Sequence, residues 1–220
     1  MKKPKLSLIL NLINIAFLLF AIIAMFLGFK FMPGGDLDAG NINAFQFFTV
    51  DSNILLLLCT ITYVIYLALY LKKRIATIPK WVVVFKMAGT VGVTITFLVT
   101  VCFLTFLYGW HLFVNSNLFF HVLCPIIACV SFFSAENAPK ISFKASLWLM
   151  APMICYGFYY VTNVLIHMEN GQVSYLYDFY GFAQGGAFSI VISLTIMLAL
   201  NFGLSFAFYQ INQRKNREVM

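Results

Sequence analysis

Six apolar runs, each long enough to cross a lipid bilayer as a helix and joined by short polar connections, constrain this chain more than any other feature. They lie at about residues 6–29, 44–71, 81–108, 117–134, 145–167 and 186–209. A helical crossing takes roughly 20 residues, so the six runs use most of the 220-residue chain and leave no length for a soluble domain. The chain is 62% hydrophobic and only 10% charged, more apolar surface than a water-soluble fold can bury. The expected fold class is therefore all-α: an integral membrane bundle of six helices, one transmembrane domain over residues 1–220.

The formal net charge of +7 suggests nucleic acid only until the basic residues are placed. They sit in short connections rather than in a groove-reading motif, so no nucleic-acid partner is expected. Lys2, Lys3, Lys5, Lys72, Lys73, Arg74, Lys80, Lys140, Lys144, Arg214, Lys215 and Arg217 all fall on one side of the bundle, against Lys30 on the other. The positive-inside rule then predicts cytoplasmic termini in a multi-pass cell-membrane protein. The lysines ahead of the first run imitate a signal peptide. However, Leu6 to Phe29 is too long for the apolar region of one and no small-residue cleavage site follows, so it reads as a retained span. The cysteines (Cys59, Cys102, Cys124, Cys129 and Cys155) lie inside apolar runs without ligand spacing and read as packing residues.

This orientation puts the chemistry-bearing side chains Thr49, Asp51, His111, His121, His167 and Asp178 toward the outer side. The densest group is Phe45-Gln-Phe-Phe-Thr-Val-Asp-Ser-Asn-Ile54 at the start of the second run. Asn43 and Gln46 read as a helix cap and its capping-box partner, which puts Thr49 one turn inside the helix. At ~100° per residue, Thr49, Ser52 and Asn53 then share a face, and Asp51 points away from it. Asp51 is left with three readings: a bond within its own helix, contact with water, or a catalytic part.

In the fourth run Asn117 and His121 are four apart, and Pro125 is four further on, so Pro125 has no N–H for the His121 carbonyl and a kink is expected. In the fifth run Tyr156, Tyr160, Asn163 and His167 form a narrow stripe, either an interfacial aromatic belt or the wall of a site. Asp178, in Tyr175-Leu-Tyr-Asp-Phe-Tyr180, is expected to be solvated, the other reading being that it orients a histidine. Lys86 is expected to snorkel to the inner surface. Gly89 and Gly92 in the third run predict close helix contact.

Phe47-Phe48-Thr49, His121 shortly before Pro125, and His167-Met-Glu-Asn-Gly171-Gln-Val-Ser-Tyr175 together resemble the androgen-induced integral membrane protein family, closest in style to its small six-span bacterial relatives. The resemblance covers most of the chain. It departs at Leu176, where the family usually has proline after the tyrosine, and in its shorter loops. The family's eukaryotic members are threonine hydrolases of lipid esters, including esters of fatty acids with hydroxy fatty acids. The resemblance implies Thr49 as nucleophile and His121 as its base, acting on a lipid ester.

The expected site thus combines Thr49 and His121 with a pocket drawn from Asp51, Ser52, Asn53, Asn117, Tyr160, Asn163, His167 and Asp178, with Asn53 or Asn163 holding the oxyanion. It needs no cofactor and no metal, and its partners are membrane lipids. Two other readings stay open. One is a non-catalytic membrane protein that binds a lipid or a partner. The other is a zinc hydrolase using His111, His121, His167 and Asp51 or Asp178, although no His-x-x-x-His spacing supports it.

Overall fold

The computed structural model describes residues 3–34, 41–136 and 139–217; Lys2, Asp36 and Asp38 lie outside them. The chain is 78% helical, with no strand among the described residues. Among the described residues, six helices are long and apolar enough to cross a membrane. They are α1 (Pro4–Leu27), α2 (Phe48–Leu71), α3 (Lys80–Phe113), α4 (Ser116–Ala135), α5 (Phe143–Ile166) and α6 (Ala187–Arg217). Apolar helices form here because a backbone without water must satisfy its own hydrogen bonds. Long runs of leucine, isoleucine and phenylalanine leave no polar alternative partner for it.

Helix α3 is the hub, packing against α2, α4, α5 and α6. Its tightest neighbour is α2. A Cβ on Gly89 would stand 3.1 Å from the Leu56 Cα and the Cys59 sulfur, and one on Gly92 3.4 Å from the Ser52 Cβ. These two glycines bring the backbones together as expected, and so put Ser52 within reach of α3. Helix α1 packs by a heptad stripe, Ser7, Asn11, Asn14, Leu18, Ala21 and Met25, all buried.

Three π-turns interrupt α3 and α4, at Thr100–Leu104, Phe119–Leu123 and Ser131–Ala135. Each inserts a residue into the helical repeat and turns its side chains relative to an unbroken helix. A 3-10 turn, Asn41–Gln46, precedes α2, which starts four residues later than the apolar run suggests. At the other end of the chain α6 runs on to Arg217, so Arg214, Lys215 and Arg217 belong to its last turns rather than to a loose tail.

Candidate functional site

The start of α2 is capped differently from the sequence expectation. Its N-cap residue is Phe47, without a side-chain cap, and Asn43 lies in the preceding 3-10 turn. The N–H of Phe48, first residue of the helix, donates instead to the Tyr180 hydroxyl at 3.0 Å. Thr49 is therefore the second residue of α2 and not one turn inside it. The Tyr156 hydroxyl donates to the Gln46 carbonyl at 2.6 Å and fixes the approach to the helix from the other side.

Thr49, Ser52 and Asn53 share a face as expected. Ser52 and Asn53 are buried and Thr49 is half-buried. The Ser52 hydroxyl donates to the Thr49 carbonyl at 3.1 Å and lies 3.1 Å from the Thr96 hydroxyl on α3. The Asn53 amide donates to two carbonyls at once, that of Thr49 at 2.8 Å and that of Phe120 on α4 at 3.1 Å. One side-chain nitrogen thus joins the backbone at Thr49 to the residue immediately before His121. The Thr49 hydroxyl and its own N–H make no hydrogen bond among the described residues.

His121 sits in the middle of the second π-turn, where hydrogen bonds step by five: the Cys124 N–H donates to the Phe119 carbonyl. In that register the carbonyl that Pro125 leaves unserved is that of Phe120, one residue from the expected position, and Asn53 takes it. The expected kink is thus resolved as a π-turn. The same turn upsets the four-residue repeat between Asn117 and His121, and half-buried Asn117 makes no side-chain hydrogen bond among the described residues. The His121 Nδ1 lies 2.8 Å from the Thr100 hydroxyl, itself the first residue of the π-turn in α3. His121 and Thr100 are both buried. The hydroxyl that meets the ring is that of Thr100 rather than Thr49. The ring's Nε2 makes no hydrogen bond among the described residues and stays available.

The α5 stripe engages the connection between α5 and α6. The Tyr160 hydroxyl donates to the Asp178 carboxylate, the Asn163 amide donates to the Tyr177 carbonyl at 2.9 Å, and the His167 ring stacks on Tyr177 with centroids 3.6 Å apart. His167 is held in place through its Nδ1, 2.8 Å from the Asn163 carbonyl. The stripe clamps the connection between α5 and α6 onto the bundle. Asp178 is fully buried, correcting the expectation of a solvated residue, and also accepts from the Ala183 N–H at 3.0 Å and the Gln184 amide at 2.9 Å. Its partners are a tyrosine, a backbone amide and a glutamine, not a histidine. Tyr180 completes the clamp by capping α2, and burial pushes its phenol up to about 12.

Asn163, with one amide N–H given to the loop, and Asn53, with both bonds directed at carbonyls, are poorly placed to bind an oxyanion. No three histidine, cysteine, aspartate or glutamate side chains gather at metal-binding distance among the described residues. His111 is exposed in the 3-10 turn ending α3, far in character from buried His121 and stacked His167. The zinc reading finds no ligand set among the described residues. Comparisons of the chain with protein-family models, with curated proteins and with solved structures give no match.

At the opposite end of the bundle lies a polar cluster that sequence reasoning missed. The Asn11 amide donates to the Ser7 carbonyl at 2.8 Å, the Ser131 hydroxyl at 2.9 Å and the Glu136 carboxylate at 3.1 Å. Ser131 also donates to Glu136, at 2.7 Å. Lys86 does not snorkel: it is 1% exposed, and its ammonium donates to the Thr60 hydroxyl at 3.0 Å. Helix α3 is enclosed by its neighbours, so Lys86 has no lipid-facing path to the surface. The recurrence of Ser7, Asn11 and Asn14 at heptad spacing was the available signal for this cluster.

Proposed function

We propose that this protein is a membrane-embedded hydrolase of lipid esters, with Thr49 as nucleophile and His121 as general base. The observation that carries the reading is the Asn53 bridge, which fixes the Thr49 turn against the residue before His121. The half-buried Thr49 hydroxyl attacks the ester carbonyl while the His121 Nε2 takes its proton. The carbonyl oxygen becomes an oxyanion facing the free Thr49 N–H, at the positive end of α2. The tetrahedral species collapses, the ester C–O bond breaks, and His121 returns the proton to the departing alkoxide. Water then cleaves the acyl-threonine by the same route. The base must carry its proton on Nδ1, and the Thr100 hydroxyl is the acceptor that holds it there. General-base help contributes about 10²–10⁴ in rate and an oxyanion donor about 10²–10³.

The 2.8 Å contact between Thr100 and His121 favours a second reading in which Thr100 is itself the reacting hydroxyl. Burial argues against it: Thr100 is 1% exposed, whereas Thr49 is half-buried, and a lipid carbonyl has to reach the nucleophile. A fluorophosphonate probe followed by peptide mapping separates the two. Label on Thr49, lost in Thr49→Ala and in His121→Asn, is expected, together with loss of ester hydrolysis by both variants in detergent. Only the neutral imidazole accepts a proton, so wild-type turnover falls toward acid pH. Equal hydrolysis by all three proteins removes the enzyme reading and leaves a lipid- or partner-binding protein.

The one-sided distribution of basic residues supports a reading in which the Thr49 end faces the outer side of a cell membrane. Cysteines introduced at residues 36, 112 and 175 should react with an impermeant maleimide on intact cells; reaction only after permeabilisation reverses the orientation.

A further inference from the structure

On the side of α2 turned away from Ser52 and Asn53, Asp51 lines an open cleft of about 480 Å³ together with Asn43, Phe45, Gln46 and Tyr159. Its carboxylate is half-buried, and among the described residues it accepts no hydrogen bond and meets no cation. The side-chain amides of Asn43 and Gln46 are likewise unengaged, the Tyr156 contact using only the Gln46 backbone. Phe45 and Tyr159 are 38% and 46% exposed, large aromatic surfaces turned toward the surroundings rather than into the core. Asp51 is the fourth residue of α2. At a rise of 1.5 Å per residue it lies only ~5 Å below the helix start, at the level of lipid headgroups and not of acyl chains.

The lining chemistry selects among ligands. An anion meets the Asp51 charge, and an acyl chain would press hydrocarbon against a carboxylate. A hard divalent cation asks for six or more oxygen ligands, several of them charged, and here there is one carboxylate. An alkylammonium group fits both the negative charge and the faces of Phe45 and Tyr159, which attract cations through their ring quadrupoles. The two free amides offer donors for an adjoining phosphate. We infer that the cleft is a binding site for the headgroup of a zwitterionic phospholipid, its ammonium group at Asp51 and its phosphate at Asn43 and Gln46.

The test uses purified protein in neutral detergent and hexylphosphocholine, which has no carboxylic ester, so the outcome does not depend on the proposed hydrolysis. Calorimetric titration is expected to show saturable binding of hexylphosphocholine, with hexylphosphoglycerol about tenfold weaker or worse. Asp51→Asn and Tyr159→Leu should each weaken binding about tenfold, and Asp51→Glu should retain it. Tetramethylammonium should compete, but less tightly than hexylphosphocholine; if it binds as tightly, the site takes a free cation and the headgroup assignment fails. Equal binding of the two phospholipid analogues, or unchanged binding by Asp51→Asn, overturns the site. Should Asp51→Asn fail to fold, the comparison of the two analogues and the competition on wild-type protein decide the matter alone.

Discussion

Replacing Asn53 by leucine separates the positioning of the site from the stability of the bundle. The substitution removes two hydrogen bonds, to the Thr49 and Phe120 carbonyls at 2.8 and 3.1 Å. The Thr49 carbonyl keeps the Ser52 hydroxyl as a partner. The Phe120 carbonyl is orphaned, since the residue that would serve it in the π-register is Pro125, and a buried unpaired acceptor costs about 1–3 kcal/mol. Against this, the Asn53 Oδ1 is already buried without a partner, and leucine removes that liability, returning about 1–3 kcal/mol. The two changes nearly cancel, so net stability should shift by no more than about 2 kcal/mol. For a chain of this size that is a melting shift below about 8 °C.

Turnover should respond quite differently. Without the bridge only apolar packing of Val50 and Phe120 joins the Thr49 turn to α4, and a misplacement of ~1 Å costs about 10² in rate. The expected result for Asn53→Leu is a melting temperature within about 8 °C of wild type and lipid-ester hydrolysis at least about a hundredfold slower, both measured in the same detergent. Wild-type turnover would show that the bridge does not position the nucleophile. A larger melting loss would show that the cancellation is wrong and that Asn53 is chiefly a structural residue.

Thr100→Val removes the partner of the His121 Nδ1, so kcat should fall about tenfold with KM unchanged, and Thr100→Ser should restore it; an unchanged kcat would mean that Thr100 does not set the tautomer. Tyr180→Phe deletes the acceptor for the Phe48 N–H and should cost about 1 kcal/mol in thermal or denaturant unfolding, as loss of a helix cap does. Burial raises the Tyr180 phenol from 10.0 to about 12, so its stabilising contribution is complete below pH 10, is lost as pH rises through about 12, and should be missing from the alkaline melting profile of Tyr180→Phe. Thr60→Val removes the hydroxyl that accepts from the buried Lys86 ammonium and should destabilise by about 1–3 kcal/mol, while the double variant Lys86→Met with Thr60→Val should recover most of the loss; strictly additive melting shifts would deny the coupling.

The parts of this fold that were legible in the sequence depend on local rules. Span positions follow from hydropathy, and the α2–α3 contact follows from glycines three apart at Gly89 and Gly92. The shared face of Thr49, Ser52 and Asn53 follows from helical periodicity alone. What escaped depends on partners distant along the chain or on a changed register. Tyr180 caps Phe48 across 132 residues, and no local pattern marks a tyrosine as a helix cap. Thr100 and His121 meet because both α3 and α4 contain π-turns, whose extra residue is invisible to a 3.6-residue repeat. Lys86 and Asp178 were misjudged for one reason: a charged residue near the membrane surface was assumed to reach water, whereas Lys86 finds a buried partner on α2 and Asp178 finds its partners on α5 and in its own loop.

The distribution of polar groups also bears on what kind of membrane protein this is. Near the Thr49 end lie Asn53, Thr96, Thr100 and His121, and near the other end Asn11, Asn14, Thr60, Lys86 and Glu136, all buried. Between the two groups lies a buried apolar cluster of Leu18 on α1, Leu56 and Leu57 on α2, Val93 on α3, and Cys124 and Ala128 on α4, with the buried hydroxyls of Thr90 and Thr94 on α3 beside it. An ion or a polar solute entering this layer would shed its hydration among mainly apolar side chains. Thr94, the nearest hydroxyl on α3, is turned to its own helix and to Cys129, bonding the Thr90 carbonyl at 2.7 Å. The two polar clusters are therefore separated by this apolar layer. That separation favours chemistry or binding confined to one end, where Thr49, His121 and the Asp51 cleft lie within a single turn of the start of α2 or are tied directly to it.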